Sequence, residues 1–320
     1  MRGSTKRVVI AALVCALLGA APVHAAGLAP GEYRFELPMP GRLRSYLVHV
    51  PPQAAAASLP VVINLHGGGG NAEQHRRATR MDAAADRDGY LAVYPNGTGR
   101  GSRLLTWNAG FCCGHALKEG VDDVAFVARL IDDLIRRGGV DPARVYVVGH
   151  SNGGMMAHRL GEALPDRIAA IVSVSGAYVP APDPAARAMP VLHVHSLDDP
   201  RAPYAGGLGP PFPLTRSRVL HPAVETALAA WVSRDGCAPR ALQIDSRQAG
   251  AQSALHFVHA GCREGAAVEL WQVRGGGHGW PGGEAKRTRL VGPATTVIDA
   301  NAEIWAFVSR FALRVPGTAH

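Results

Sequence analysis

Ser151 stands at the centre of Gly149-His150-Ser151-Asn152-Gly153. A G-x-S-x-G pattern gains meaning when a strand runs into it and a helix leaves it, because the turn then lifts the serine hydroxyl out of a backbone too tight for other residues. Val145-Tyr146-Val147-Val148 precedes the pattern and Gly154-Met155-Met156-Ala157 follows it. That context favours a nucleophile over the alternative, a glycine-rich packing turn. A serine hydroxyl is a poor nucleophile near neutral pH, so it needs a base and a carboxylate that orients and supports the base. Both follow in chain order, acid then histidine. Asp198 and Asp199 come after a strand ending at His195, and His278 lies in Gly275-Gly276-Gly277-His278-Gly279-Trp280. Glycines on both sides of His278 let the imidazole reach back toward the serine.

Acyl transfer also needs two N–H donors where negative charge develops. One is expected from Asn152, the residue after the nucleophile, and one from His66-Gly67-Gly68-Gly69-Gly70 at the end of an early strand. Within that loop Gly68 is preferred over Gly69. A phosphate-cradling loop is the competing reading of four glycines, but the Lys-Ser or Lys-Thr of a nucleotide loop does not follow them. Trp107 and Trp280 are candidate substrate-stacking residues, with simple packing as the alternative. The stretch from Gly206 to Pro213 either rims a cleft or is a plain surface loop. His193 and His195 share one side of a strand as some metal ligands do, but no third ligand accompanies them. They read as structural histidines, and no metal or organic cofactor is expected.

The elements that must hold these residues alternate between strand and helix. Tyr33–Leu37 and Tyr46–Val50 alternate in polarity around Pro40-Gly41 and predict a hairpin. Val61–Leu65 is a continuous apolar run, as befits a strand buried on both faces of a parallel sheet. The pattern then gives a helix over 73–87, a strand at Leu91–Tyr94, a helix over Val121–Arg137 and a strand at Arg144–Val148. A helix from Asn152 follows, then strands at Ile168–Val174 and Val191–Val194 and a helix over Ala223–Arg234. Strands near Leu255–Val258 and Val268–Val273 and a helix over Ile298–Phe311 complete the series. The expected fold class is α/β, with a mainly parallel central sheet and helices on both faces. No linker or repeat divides residues 26–320, so a single catalytic domain is expected there.

The 320 residues carry 33 Lys plus Arg against 25 Asp plus Glu. Only Lys6, Lys118 and Lys286 are lysine, and the arginines are scattered rather than gathered on a basic face, which argues against a nucleic-acid partner. Arg2, Lys6 and Arg7 precede an apolar run from Val8 to Ala21, followed by Val23-His24-Ala25. At about 14 residues the run is short of the roughly 20 that span a bilayer, so residues 1–25 read as a cleaved signal peptide and not as a membrane anchor. Its removal takes the formal charge from +8 to +5. An exported chain keeps Cys112, Cys113, Cys237 and Cys262 in an oxidising compartment. Cys237 and Cys262 are the expected local bridge; Cys112 and Cys113 form either a vicinal disulfide or two free thiols.

Six segments occur in order: Leu65-His66-Gly67-Gly68, Trp107-Asn108-Ala109-Gly110, Val121-Asp122-Asp123-Val124, Gly149-His150-Ser151-Asn152-Gly153-Gly154-Met155, Asp199-Pro200 with Pro203-Tyr204, and His278-Gly279-Trp280-Pro281-Gly282. Together they resemble the secreted polyhydroxybutyrate depolymerase and feruloyl esterase group of α/β-hydrolases. The resemblance implies an α/β-hydrolase fold, with Ser151 as nucleophile, His278 as base and Asp199 as acid, since the family's acid directly precedes a proline, here Pro200. Two departures stand out: many polymer depolymerases of the group carry an apolar residue before the serine, where this chain has His150, and the length leaves no space for a separate polymer-binding module. The expected function is an exported serine carboxylesterase acting on feruloyl-type esters or short hydroxyalkanoate oligomers. A serine peptidase could use the same triad, but no acidic anchor for a substrate amine accompanies the motifs. A non-catalytic binding protein would have no need of three reactive residues in triad order.

Overall fold

The computed structural model describes residues 27–55, 58–101, 103–183, 185–212, 217–284 and 288–314. The segment read as a signal peptide lies outside the described residues. β1 (Gly31–Met39) and β2 (Arg42–Val50) form the expected hairpin, followed by β3 (Leu59–Leu65), α1 (Ala72–Thr79), α2 (Met81–Asp88), β4 (Leu91–Pro95), α3 (Gly114–Lys118), α4 (Asp123–Arg137), β5 (Val140–His150) and α5 (Asn152–Ala163). Next come β6 (Ala170–Val174), β7 (Val191–Ser196), a short ribbon of β8 (Gly207–Leu208) and β9 (Leu220–His221), and α6 (Val224–Arg234). β10 (Leu242–Ala249), β11 (Gln252–His259), β12 (Val268–Arg274), α7 (Thr288–Val291) and α8 (Ala300–Val308) end the chain.

Ten strands make one sheet in the order β1-β2-β4-β3-β5-β6-β7-β12-β11-β10. Its centre, from β4 to β12, is parallel, and both margins are antiparallel. Side chains alternate across it as a pleated strand requires. Val61, Ile63 and Leu65 of β3 and Val145 and Val147 of β5 face α4, α5 and α6 in one core. Val62, Tyr146 and Val148 face α2 and α8 in the other. This is the α/β-hydrolase arrangement, with helices on both faces.

Besides the short α3, α7, β8 and β9, which have no counterpart in the sequence reading, and the earlier start of β5 at Val140, two departures have a clear local cause. The helix expected over 73–87 is broken at Arg80, which takes a left-handed conformation (φ 55°) and closes α1 through its N–H to Arg76 O. Neither glycine nor proline marks that break. β10 gave no strand signal because it pairs only with β11 at the margin and is largely exposed, so its sequence carries no buried alternation.

Asp122 caps α4 by accepting from Ala125 N–H at 2.9 Å. Asp123 does something else: it is fully buried, bonds the Arg44 guanidinium at 2.8 Å and accepts from Asn108 N–H at 2.8 Å. Burial pushes the Asp123 carboxyl up and the Arg44 guanidinium down, each against the attraction of its partner. Breaking such a pair leaves one charge buried and alone, at a cost of about 3–5 kcal/mol. Asp123→Ala should therefore lower the melting temperature by many degrees, and the double replacement Arg44→Met with Asp123→Ala should recover part of the loss. Equal melting of wild type and Asp123→Ala would show that the pair is not buried as described.

Cys237 and Cys262 are joined across a sequence separation of 25, a closure that stabilises by about 3–4 kcal/mol on the chain-entropy model. Cys112 and Cys113 bring their side chains together in a small apolar cluster with Ala109 and Met155 beside Phe212 and Val219.

Candidate active site

Strands β3, β5, β7 and β12 all point the same way, and their C-terminal ends lead into the glycine loop after His66, Ser151, the loop bearing Asp199 and the loop bearing His278. Sites in open α/β sheets collect at such ends. Ser151 joins β5 to α5 with φ 55° and ψ −121°, a conformation side-chain-bearing residues rarely adopt. Its N–H to Val174 O at 2.8 Å ties the turn to β6. The flanking glycines are required by contact: a Cβ on Gly149 would lie 2.1 Å from Gly153 O, and one on Gly153 would lie 2.3 Å from Leu65 O.

His278 Nε2 lies 2.8 Å from Ser151 Oγ, and His278 Nδ1 lies 2.7 Å from Asp199 Oδ2. The carboxylate can only accept, so Nδ1 carries the proton and Nε2 offers its lone pair to the serine hydroxyl. Asp199 Oδ1 accepts from Arg201 N–H at 2.7 Å and Ala202 N–H at 2.9 Å. Burial alone would raise the Asp199 carboxyl, but the charge of His278 and hydrogen bonds from His195 and His278 outweigh it and hold the group well below the usual carboxylate range. Asp198 turns elsewhere and accepts from Gly275 N–H at 2.7 Å. The geometry thus brings Asp199, and not its neighbour, to the imidazole.

Two contacts fix the His278 loop. Its own N–H donates to Val291 O at 2.5 Å, and His150 Nε2 donates to the His278 carbonyl at 2.6 Å. His150, the residue that departs from the apolar neighbour common in polymer depolymerases, therefore braces the base. Burial, then the charge of His278, pulls the His150 imidazole down to about 4.

The Gly69 N–H is donated to Leu105 O at 2.8 Å, and Gly70 N–H closes back on Gly67 O at 3.0 Å. Gly69 is thereby removed as an oxyanion donor. Gly68 lies beside Asn152, and a Cβ built on it would be 3.6 Å from Asn152 Cβ and 3.1 Å from the Phe212 ring. His66 orders this loop with a tautomer fixed by its partners: Nε2 accepts from Gly97 N–H at 2.9 Å, so Nδ1 donates to Gly67 O at 2.8 Å. The amide of Asn152 meanwhile grips Trp107, accepting from its N–H at 2.8 Å and donating to its carbonyl at 3.0 Å.

The tryptophans do not serve as open stacking faces. Trp107 is 0% exposed and donates its indole N–H to His66 O at 2.8 Å, so it supports the glycine loop after His66 from within the core. Trp280 is 9% exposed, donates to Asn301 Oδ1 at 3.1 Å and sets its ring edge-on to His75 and His150. Indoles beside a catalytic motif look the same in sequence whether they face inward or outward. The bracing roles of His66 and His150 were likewise illegible, because nothing in the sequence tells which carbonyl a ring nitrogen meets.

Burial holds His66 and His150 at about 4 and His158 at about 3. The unfolded chain binds protons at these histidines with a pKa of about 6.5, so between pH 6.5 and 4 it holds more protons than the folded state. Stability then rises with pH across that window and is lost as pH falls through it. Thermal unfolding should show the melting temperature falling steeply below about pH 6; a flat profile from pH 7 to 4.5 would contradict neutral burial.

Residues 44–223 match the family model described as esterase PHB depolymerase. Among curated proteins, NocK of Nocardia uniformis subsp. tsuyamanensis, named as an esterase, is 33% identical over 259 residues, covering 78% of this chain and 74% of that protein. Feruloyl esterase B of Piromyces equi is 29% identical over 232 residues, and the match spans 68% of this chain but only 39% of that protein. Among solved structures, an acetyl xylan esterase from Aspergillus awamori superimposes with a TM-score of 0.50 at 13% identity, covering 75% of this chain and 92% of that one, a likeness of fold. The chain belongs to the esterase PHB depolymerase family, a family of carboxylic ester hydrolases.

Proposed function

We propose that the protein is an exported serine carboxylesterase, a single catalytic domain over residues 26–320 that works through an acyl-enzyme. Ser151 attacks the ester carbonyl as His278 takes its proton. Gly68 and Asn152 N–H groups receive the oxyanion. His278 then gives the proton to the leaving alcohol and later activates water, while Asp199 keeps the imidazole in its working tautomer and supports its charge. The observation that carries this reading is the unbroken chain from Ser151 Oγ through His278 Nε2 and Nδ1 to Asp199 Oδ2, at 2.8 and 2.7 Å. Export rests on the basic and apolar segment before residue 26, and no helix among the described residues is long and apolar enough to cross a membrane.

Feruloyl-type esters and short hydroxyalkanoate oligomers are the proposed substrates, the first by likeness to the feruloyl esterase relative and the second by the description of the matching family. A panel of methyl ferulate, hydroxybutyrate oligomers and p-nitrophenyl esters of graded chain length, scored by kcat/KM, tests the proposal. Turnover of at least one of the first two classes above the simple p-nitrophenyl esters is the expected result. Hydrolysis of the p-nitrophenyl esters alone would reject these substrates, and activity only on matched amides assayed beside the panel would reject the esterase reading in favour of a peptidase.

A further inference from the structure

Asp199 is faced by a second imidazole. We propose that His195 is a positioning residue for the triad acid, its Nε2–H shared between the Ala202 carbonyl and Asp199 Oδ2; the inference rests on the roles given above to Ser151, His278 and Asp199. His195 lies at the end of β7 and is 1% exposed. Its Nε2 is 2.8 Å from Ala202 O and 3.4 Å from Asp199 Oδ2. Both neighbours are acceptors, so Nε2 must carry a proton, whatever the state of the other nitrogen.

The two contacts act on one carboxylate. Ala202 is the residue whose N–H holds Asp199 Oδ1, so the imidazole that faces Oδ2 also pins the loop that holds Oδ1. His195 is held in turn. Its Nδ1 is 2.9 Å from His193 Nε2, and the edge of Tyr204 packs against its ring at a centroid distance of 5.7 Å. His193 is completely buried, and burial keeps its imidazole well below the ordinary histidine range. A neutral His193 that donates Nε2–H to His195 leaves only a lone pair on its Nδ1, a buried atom with no partner among the described residues. The opposite tautomer would strand an N–H, the costlier orphan. Behind them His158 stacks on His193 at 5.7 Å and accepts the Trp231 indole N–H at 2.9 Å. These residues form a buried file that ends on the acid, at the same Oδ2 that His278 meets.

Such a brace matters most when His278 is charged. Asp199 Oδ2 then holds the imidazolium, and a second donor keeps the carboxylate from rotating away as Ser151 forms and loses its bond to the acyl group. A histidine that merely filled the core would affect how much protein folds, not how fast each folded site turns over.

Two variants separate these roles. His195→Phe removes the donor and keeps a ring, and His195→Gln places an amide N–H at similar reach. Competent serines are counted by fluorophosphonate titration, and kcat per titrated serine is measured on an activated ester. His195→Phe should lose about tenfold or more in kcat per site, with KM within about twofold of wild type, and His195→Gln should recover most of the loss. Wild-type turnover per site in His195→Phe, or equal damage in both variants, would overturn the proposal. If His195→Phe does not fold, nitrogen NMR of the wild type decides: a protonated Nε2 on His195 whose resonance shifts when Ser151 is phosphonylated is expected, and an unprotonated or unresponsive Nε2 overturns the assignment. A wild type that neither labels nor turns over would instead remove the serine esterase reading beneath it.

Discussion

Alanine at position 151 should lower kcat for ester hydrolysis by about 10⁴- to 10⁶-fold and leave the fold intact. The hydroxyl at stake is 2.8 Å from His278 Nε2 and sits on a turn whose geometry is set by glycines, not by the serine side chain. Ser151 also contributes its N–H to Val174 O, which alanine retains. Thermal melting of Ser151→Ala should therefore stay within a few degrees of wild type while activity collapses. His278→Ala should cost about as much, and the double variant little more, because the members act as a unit. A Ser151→Ala protein with a tenth of wild-type activity after removal of contaminating esterases would show that the hydroxyl is not the attacking group.

Gly153→Ala should damage fold and activity together. The added methyl would lie 2.3 Å from Leu65 O and 2.6 Å from His66 O, both backbone atoms at the end of β3. Neither can swing aside as a flexible side chain would, so β3 and α5 must part. Overpacking of this kind costs about 1–3 kcal/mol or more. The displaced segment leads directly into Gly67 and Gly68, so the proposed oxyanion donor Gly68 shifts relative to Ser151. Losing one such donor typically costs about 10²–10³-fold in kcat. The expected result is a lowered melting temperature with at least that loss in the molecules that remain folded. Unchanged melting and turnover would mean that the elbow has slack that the backbone distances deny.

Much of this site is legible in the sequence. The glycines around Ser151, the order of Asp199 and His278, and the apolar runs at Val61–Leu65 and Val145–Val148 all reflect local demands: close backbone approach, chain order, burial on two faces. The sheet margin was harder. β10 is exposed and polar, so its pairing with β11 leaves no periodic trace. Hardest of all were contacts set by tertiary approach. Nothing near Asp123 in the sequence points to Arg44, 79 residues earlier, which the fold brings against it. Trp107 reads as a stacking surface until its indole is found under His66. His195 reads as a core residue until the acid loop folds back to within reach of its Nε2. In each case the sequence specifies a group able to bond, and only the fold specifies the partner.

Acylation of Ser151 during turnover can be read by peptide mapping with mass spectrometry after reaction with a fluorophosphonate. About one phosphonyl group per chain is expected, on the peptide containing Gly149-His150-Ser151-Asn152-Gly153, with ester hydrolysis lost in proportion to labelling. Full inhibition with the adduct on any other residue, or continued hydrolysis by protein fully labelled at Ser151, would contradict it.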